Sequence, residues 1–216
     1  MNLTLKKELP IIGIVLLPFI YLAFIWKSLP DIVPMHWNSK GEIDDWGSKY
    51  SLLVMLFLLP VLTYAILLLV PKIDPKMKIE MMGAKFYQIK FVLVFFMSVL
   101  AIFILYSTNN QSISNPNVIL SLVGMLLIVL GNYFKVIKQN YFIGIKTPWT
   151  LENEEVWKMT HKFAGKLWVV GGFLISIFCW IIPNEFVLYL LLSVVAIIVI
   201  VPIAYSYIKF KELKKK

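Results

Sequence analysis

Side chains suited to binding a ligand are concentrated in two polar segments, and the first, the outer segment, runs from Leu29 to Lys49. It places an imidazole and an amide among tryptophans, and rigid aromatic rings with a polar atom make good contact residues. The alternative is a structured hairpin whose tryptophans only anchor it at the lipid interface. The residues that we predict to bind an extracellular ligand are His36, Trp37, Asn38, Gly41, Asp44 and Trp46.

The prolines of the outer segment predict its backbone. Pro30 and Pro34 fix φ and favour extended backbone in the residues before them. This predicts a short strand that runs through His36 and Trp37. The Ser-Lys-Gly sequence at residues 39–41 is a turn signal.

The second polar region, the inner segment, runs from Gly131 to Gly172. We predict that it forms a cytosolic docking surface or the inner gate of a cavity. The alternative is an amphipathic turn at the membrane interface, anchored by Trp149 and Trp157. For His161 alone, a hydrogen-bonded packing role is favoured over catalysis. The residues predicted for partner binding or gating are Asn132, Asn140, Gly144, Lys146, Thr147, Pro148, Trp149, Thr150, Trp157 and His161.

Helix signals in the inner segment are local and strong. Thr147 followed by Pro148 is typical of an N-cap with proline at the first helical position. Asn153, followed by two glutamates in the positive first turn, predicts a second start, and we expect that helix to run unbroken toward Pro183. The residues that helical spacing places on one face are Trp157, His161, Ala164, Trp168 and Gly172.

Composition decides the fold class. The 216 residues are 60% hydrophobic and 15% charged, whereas soluble domains carry about 25% charge. A helix crossing a ~30 Å hydrocarbon core needs roughly 20 apolar residues. We predict an all-α integral membrane protein, a bundle of six transmembrane helices with a small structured extracellular loop and a cytosolic amphipathic segment. The six apolar runs are Pro10–Trp26, Ser51–Val70, Phe91–Tyr106, Val118–Phe134, Leu167–Ile182 and Phe186–Tyr207.

Lysine counts predict the orientation in the cell membrane. The chain has 21 lysines and no arginine. The N-terminus, the second loop, the fourth loop and the tail hold two, five, six and five lysines, whereas the three intervening loops hold three, none and none. Because lysine-rich segments stay cytosolic, both termini are predicted to be cytosolic. Lysines placed between apolar runs also argue against direct nucleic acid binding.

Two stretches resemble a known family. The sequence from Gly144 to Leu151 (GIKTPWTL), with Val-Trp at 156–157 and Thr-His-Lys at 160–162, is similar to the signature of the SdpI family. The pattern LPxxVPxHWNxxGxxD in the outer segment is similar to a small uncharacterised domain that often precedes it. This chain has Lys146 and Lys162 where the family commonly has arginine, so the guanidinium fork is lost.

The resemblance implies a function. The namesake is the immunity protein against a sporulation-delaying peptide toxin of Gram-positive bacteria. It implies protection against a secreted antimicrobial peptide, together with signalling by holding a cytosolic transcriptional repressor at the membrane. The corresponding domains are 1–70, the first helical hairpin with the outer segment, and 71–216, a four-helix membrane region with the inner segment.

The sequence lacks the residues that other functional classes would require. A coupled transporter should carry ionisable residues within its membrane helices, and the six apolar runs contain none. None of the common catalytic motifs is present, so we predict no enzyme, catalytic residue or cofactor. One histidine among unpatterned carboxylates is weak evidence for a metal site, and none is predicted. We predict an immunity or receptor-like protein whose partners are membrane lipid, a peptide toxin and a repressor. The alternatives are a passive transporter or channel-like protein, or an intramembrane enzyme.

Overall fold

The computed structural model describes residues 5–38, 42–111 and 117–215. It is mostly helical and contains one two-stranded hairpin. The chain divides into two compact units: Met1–Leu69 with Lys90–Ile119, and Val70–Ile89 with Leu120–Lys216. The elements in chain order are α1 (Leu5–Ile25), β1 (Ile32–Trp37), β2 (Ile43–Ser48), α2 (Ser51–Leu56), α3 (Leu62–Ile73), α4 (Ala84–Asn109), α5 (Asn117–Phe134), α6 (Pro148–Glu152), α7 (Glu154–Phe178) and α8 (Asn184–Lys214).

Five helices of the described chain are long and apolar enough to cross a membrane. They are α1, α4, α5, α8 and the continuous helix Ser51–Ile73, in which a π-helical segment at Phe57–Val61 joins α2 to α3. Pro60 lies inside that segment, where its missing N–H breaks the regular helical ladder. The predicted run Leu167–Ile182 forms the second half of α7 and the turn that follows it. Helix α7 differs in composition from these five helices, because lysines occupy its first half.

The first unit has a core that includes the hairpin. Val33 of β1 is fully buried in a cluster with residues of α1, α2 and α4. The strands pair antiparallel, from Ile32 opposite Ser48 to Trp37 opposite Ile43, with an irregularity at His36. The predicted strand through His36 and Trp37 is therefore present, and it has a partner strand. The residues buried with Val33 are Leu22, Ile25, Leu29, Leu52, Leu56, Ala101 and Leu105.

A buried ion pair lies within the first unit. The Lys90 ammonium is 2.7 Å from Glu8 Oε1, and both side chains are almost fully buried. Tyr64 donates a hydrogen bond to Glu8 Oε2 at 3.0 Å. The apolar runs contain no ionisable residue, but α1 and α4 extend beyond those runs and include Glu8 and Lys90. The absence of ionisable residues from the six runs, on which the prediction against a coupled transporter rested, therefore does not hold for the complete helices.

The second unit packs α5 and α8 against α7. Ile175 of α7 is buried with Val194 and Ile198 of α8. The α5 and α7 backbones meet at two glycine pairs: a Cβ on Gly172 would lie 2.5 Å from the Gly124 oxygen, and one on Gly165 would lie 2.6 Å from the Gly131 oxygen. Small residues allow such close backbone approach, which is how membrane helices commonly associate.

Candidate functional site

The base of the outer segment is held by charge and aromatic contacts. Lys49 Nζ is 2.8 Å from Asp31 Oδ1, and the Lys49 N–H donates to the Asp31 carbonyl at 3.0 Å. The hydrogen bond from the Lys49 ammonium, followed by its charge, lowers the pKa of Asp31. The same ammonium lies 5.3 Å from the ring centre of Trp26, which packs edge-on against Tyr50. The two ends of the hairpin are therefore tied together.

The exposed part of the hairpin carries several of the predicted ligand-binding side chains. His36 Nδ1 is 2.5 Å from Asp44 Oδ1, and these side chains are 66% and 43% exposed. Trp46 is 51% exposed on the adjacent strand. The structure thus joins His36 to Asp44 and leaves the Trp46 ring open to contacts from outside the chain.

The remaining predicted residues of the outer segment differ in environment. Asn38 exchanges hydrogen bonds with Glu42, which joins the ends of the two strands. Trp37 is half-buried, and its indole Nε1 is buried with no acceptor among the described residues. Gly41 and the predicted turn at 39–41 lie outside the described residues. Within the described ranges, no group of three or more His, Cys, Asp or Glu side chains could hold a metal ion.

Asn140 organises the loop of the inner segment. It is fully buried, and its Oδ1 accepts the N–H groups of Phe142 and Ile143, both at 2.7 Å. Its Nδ2 donates to the carbonyls of Lys138 and Ile143 at 2.7 and 3.1 Å. Asparagine commonly stabilises turns through such local hydrogen bonds. One side chain therefore satisfies four backbone groups and shapes the loop that precedes Gly144.

His161 and Trp157 lie beneath this loop. His161 Nε2 accepts the Ile145 N–H at 3.0 Å, and Nδ1 is 2.8 Å from the Trp157 carbonyl, to which it can donate. The Trp157 Nε1–H donates to the Ile137 carbonyl at 2.8 Å, and the two rings stack with centroids 4.0 Å apart. Both side chains are 1% exposed. Direct contact of either ring with a partner would require the loop to move.

The environment of His161 favours the neutral imidazole. Burial lowers its pKa to about 4, and the hydrogen bond to the Trp157 carbonyl opposes that shift. The geometry agrees, since an acceptor nitrogen toward Ile145 and a donor nitrogen toward Trp157 describe one neutral tautomer. These contacts agree with the packing role that the sequence favoured for His161.

Gly144 has a backbone conformation that favours glycine, and it lies in the loop next to His161. Its φ is +110°, a conformation that L side chains rarely adopt. A Cβ at this position would overlap His161 Nε2 and lie 3.2 Å from the Trp157 ring. Glycine therefore allows the loop to lie directly on the two rings.

Thr147 and Thr150 form the predicted start of α6. The Thr147 N–H donates to Thr150 Oγ1 at 2.9 Å, and the Thr150 N–H donates to Thr147 Oγ1 at 3.2 Å. Thr150 Oγ1 in turn donates to the Ile145 carbonyl at 2.9 Å. Pro148 occupies the first turn, where it loses no hydrogen bond. This reciprocal capping box ties α6 to the loop above His161.

Trp149 connects the inner segment to α8. Its Nε1–H donates to Ser206 Oγ, and its ring lies 5.3 Å from that of Tyr207. Ser206 is fully buried. The inner segment thus has a buried polar interior, and it also has an exposed rim. The predicted residues on that rim are Asn132, Lys146 and Pro148.

Two further residues of this site, Gln139 and Ser206, were not predicted from the sequence. Gln139 Nε2 donates to the Thr150 and Leu151 carbonyls at 2.8 and 3.0 Å, which satisfies the end of α6. Ser206 accepts the Trp149 hydrogen bond. The available signal for Ser206 was a polar residue within an apolar run, but its partner lies 57 positions away.

Together, the fold and these segments define a mostly helical membrane protein with a short hairpin and a capped polar loop. Residues 136–206 match the model of the SdpI/YfhL protein family, and residues 13–63 match the domain of unknown function DUF1648. The chain therefore carries an SdpI/YfhL family region preceded by a DUF1648 domain, which confirms the resemblance.

Similarity to a characterised relative extends beyond these regions. The chain is 28% identical over 211 residues to the immunity protein SdpI of Bacillus subtilis (strain 168). The alignment covers 97% of this chain and 98% of that protein. No solved structure matches the chain.

Proposed function

We propose that this protein is a cell-membrane immunity protein that protects its cell against a secreted antimicrobial peptide. The observation that carries the proposal is similarity to an immunity protein along nearly the whole of both chains. The outer and inner segments lie largely in the two matched family regions, so both parts of the candidate site are included.

We further propose six membrane spans with both termini in the cytosol. The sixth span is the apolar second half of α7 and the residues up to Pro183. If this stretch did not cross, the N-terminus and the tail would lie on opposite sides, and the five lysines of the tail would be outside. The positive-inside rule favours the crossing.

The exposed face of the hairpin is the proposed toxin contact. His36 and Asp44 present a polar pair beside the Trp46 ring, and tied hairpin ends reduce the ordering cost of binding. Trp37 and Asn38 flank these residues and belong to the proposed surface. Gly41, which lies outside the described residues, is included in the proposal from the sequence alone.

The inner segment is the proposed transmitting part, through which a cytosolic repressor is held at the membrane. Helix α7 runs unbroken from Glu154 to Phe178, roughly 37 Å at 1.5 Å per residue. A displacement of its C-terminal end therefore moves Trp157 and the loop above it. Coupling of only ~1–3 kcal/mol would change partner affinity roughly 5- to 150-fold. The proposed docking surface is the exposed rim at Asn132, Lys146 and Pro148.

Survival of a toxin-sensitive strain that expresses this chain tests the proposed function. We expect the wild type to restore growth under toxin and His36→Ala/Trp46→Ala to lose protection at normal membrane abundance. Ile32→Ala, which changes another exposed hairpin side chain, is the matched control and should protect. No protection by an abundant wild-type protein would refute immunity, and full protection by the double variant would refute the toxin surface.

A further inference from the structure

A groove of about 530 Å³ lies between the end of α5 and the middle of α7. Gly131 and Gly165 are among the residues that line it, and their backbones approach too closely for a side chain on either residue. The volume lies within the range of ligand pockets. The side chains along its walls include Asn132, Lys135, Lys162, Lys166, Val169 and Val170.

The groove carries positive charge, and the described residues that line it include no carboxylate. Lys135, Lys162 and Lys166 form no ion pair with any residue that the structure describes. Lys162 and Lys166 are four residues apart on α7, where like charges repel one another. A bound anion would relieve this repulsion.

The groove also lies where both helices change from charged to apolar. Helix α5 contains no charged residue up to Phe134, and Lys135 follows directly. Helix α7 has its last lysine at Lys166 and no charged residue between that lysine and Phe178. The close contact between Gly131 and Gly165 places the charged-to-apolar boundaries of the two helices side by side. This is the pattern expected at a membrane–water interface.

We infer that the groove binds an anionic phospholipid. The three lysines hold the headgroup phosphate, and an acyl chain lies along Val169 and the exposed Val170. Basic pockets between membrane helices bind anionic lipid headgroups in this way. A free phosphate would match the lysines alone, whereas the apolar wall next to them matches a lipid.

Native mass spectrometry of the full chain in detergent tests this site, with dioleoyl phosphatidylglycerol and dioleoyl phosphatidylcholine as probes. We expect the wild type to retain phosphatidylglycerol preferentially. The site variant is Lys135→Gln/Lys162→Gln/Lys166→Gln. We expect it to bind phosphatidylglycerol roughly a hundredfold more weakly, since each of the three lysines contributes about fivefold near an anionic surface. The control variant, Lys138→Gln/Lys158→Gln/Lys211→Gln, removes equal charge from other exposed positions and should bind like the wild type.

Competition with inorganic phosphate and with glycerol phosphate separates the two possible sources of the anion. We expect neither to displace phosphatidylglycerol at an equal concentration, because neither contacts the apolar wall. Displacement as effective as by the lipid itself would overturn the lipid assignment. Equal losses in the site and control variants, or no preference for phosphatidylglycerol over phosphatidylcholine, would overturn the site.

Discussion

The capping box of α6 permits a nearly isosteric test of the inner segment through Thr150→Val. Thr150 is fully buried; its Oγ1 accepts the Thr147 N–H and donates to the Ile145 carbonyl, both at 2.9 Å. Valine keeps the shape but removes both interactions. An unsatisfied buried polar group costs about 1–3 kcal/mol, so we expect a loss of about 2–4 kcal/mol in unfolding free energy.

The chain provides a matched control at Thr160. This residue is also fully buried, but its Oγ1 has no hydrogen-bond partner among the described residues. Thr160→Val should therefore leave stability unchanged within about 0.5 kcal/mol, or raise it. Thr150→Ser retains the hydroxyl and loses one methyl, so its cost should be about 1 kcal/mol.

Denaturant titration of the purified variants in mixed micelles, followed by tryptophan fluorescence, measures these differences. Survival under toxin should follow the order of stability, because the capping box supports the loop above Trp157. Wild-type stability in Thr150→Val, or an equal loss in Thr160→Val, would refute the assignment of this energy to the capping box.

Three further perturbations test the helix contact, the histidine and the topology. Gly165→Ala should destabilise the protein by about 1–3 kcal/mol in the same titration, because its Cβ would lie 2.6 Å from the Gly131 oxygen, whereas Gly13→Ala meets open space and should be tolerated; equal effects would contradict the close contact. The pKa of His161 is about 4 in the folded protein and about 6.5 in the unfolded chain, so the unfolded chain binds more protons between these pH values. The contribution of His161 to the unfolding free energy is therefore fully present above about pH 6.5 and is lost as the pH falls through about 4. Across this pH range, the unfolding free energy of His161→Gln should change by about 3 kcal/mol less than that of the wild type. Equal changes in the two proteins would contradict the buried neutral imidazole. In a Cys179→Ser background, Asn184→Cys should label from outside intact cells and Lys215→Cys only after permeabilisation; labelling of Lys215→Cys in intact cells would contradict six spans.

Several elements follow from local sequence because their physical causes are local. Asn153 accepts the N–H groups of Glu155 and Val156, as expected for an N-cap, and Thr147 caps α6 with Pro148 in the first turn. The prolines of the outer segment predicted the extended backbone of β1. Apolar runs identified the membrane helices because lipid requires long uninterrupted stretches. These features depend on neighbours within a few positions.

Tertiary structure alone decided which side chains meet. His161 receives its hydrogen bond from Ile145, 16 positions away, and Glu8 meets Lys90 across 82 positions. No local pattern specifies such partners, because they depend on how helices pack and loops return. The same packing buries Trp157 and leaves Trp46 exposed, although both are tryptophans in polar segments. The sequence alone determined the membrane class and the helix starts, whereas packing between distant segments decided the polar interior of the inner segment and the groove beside it.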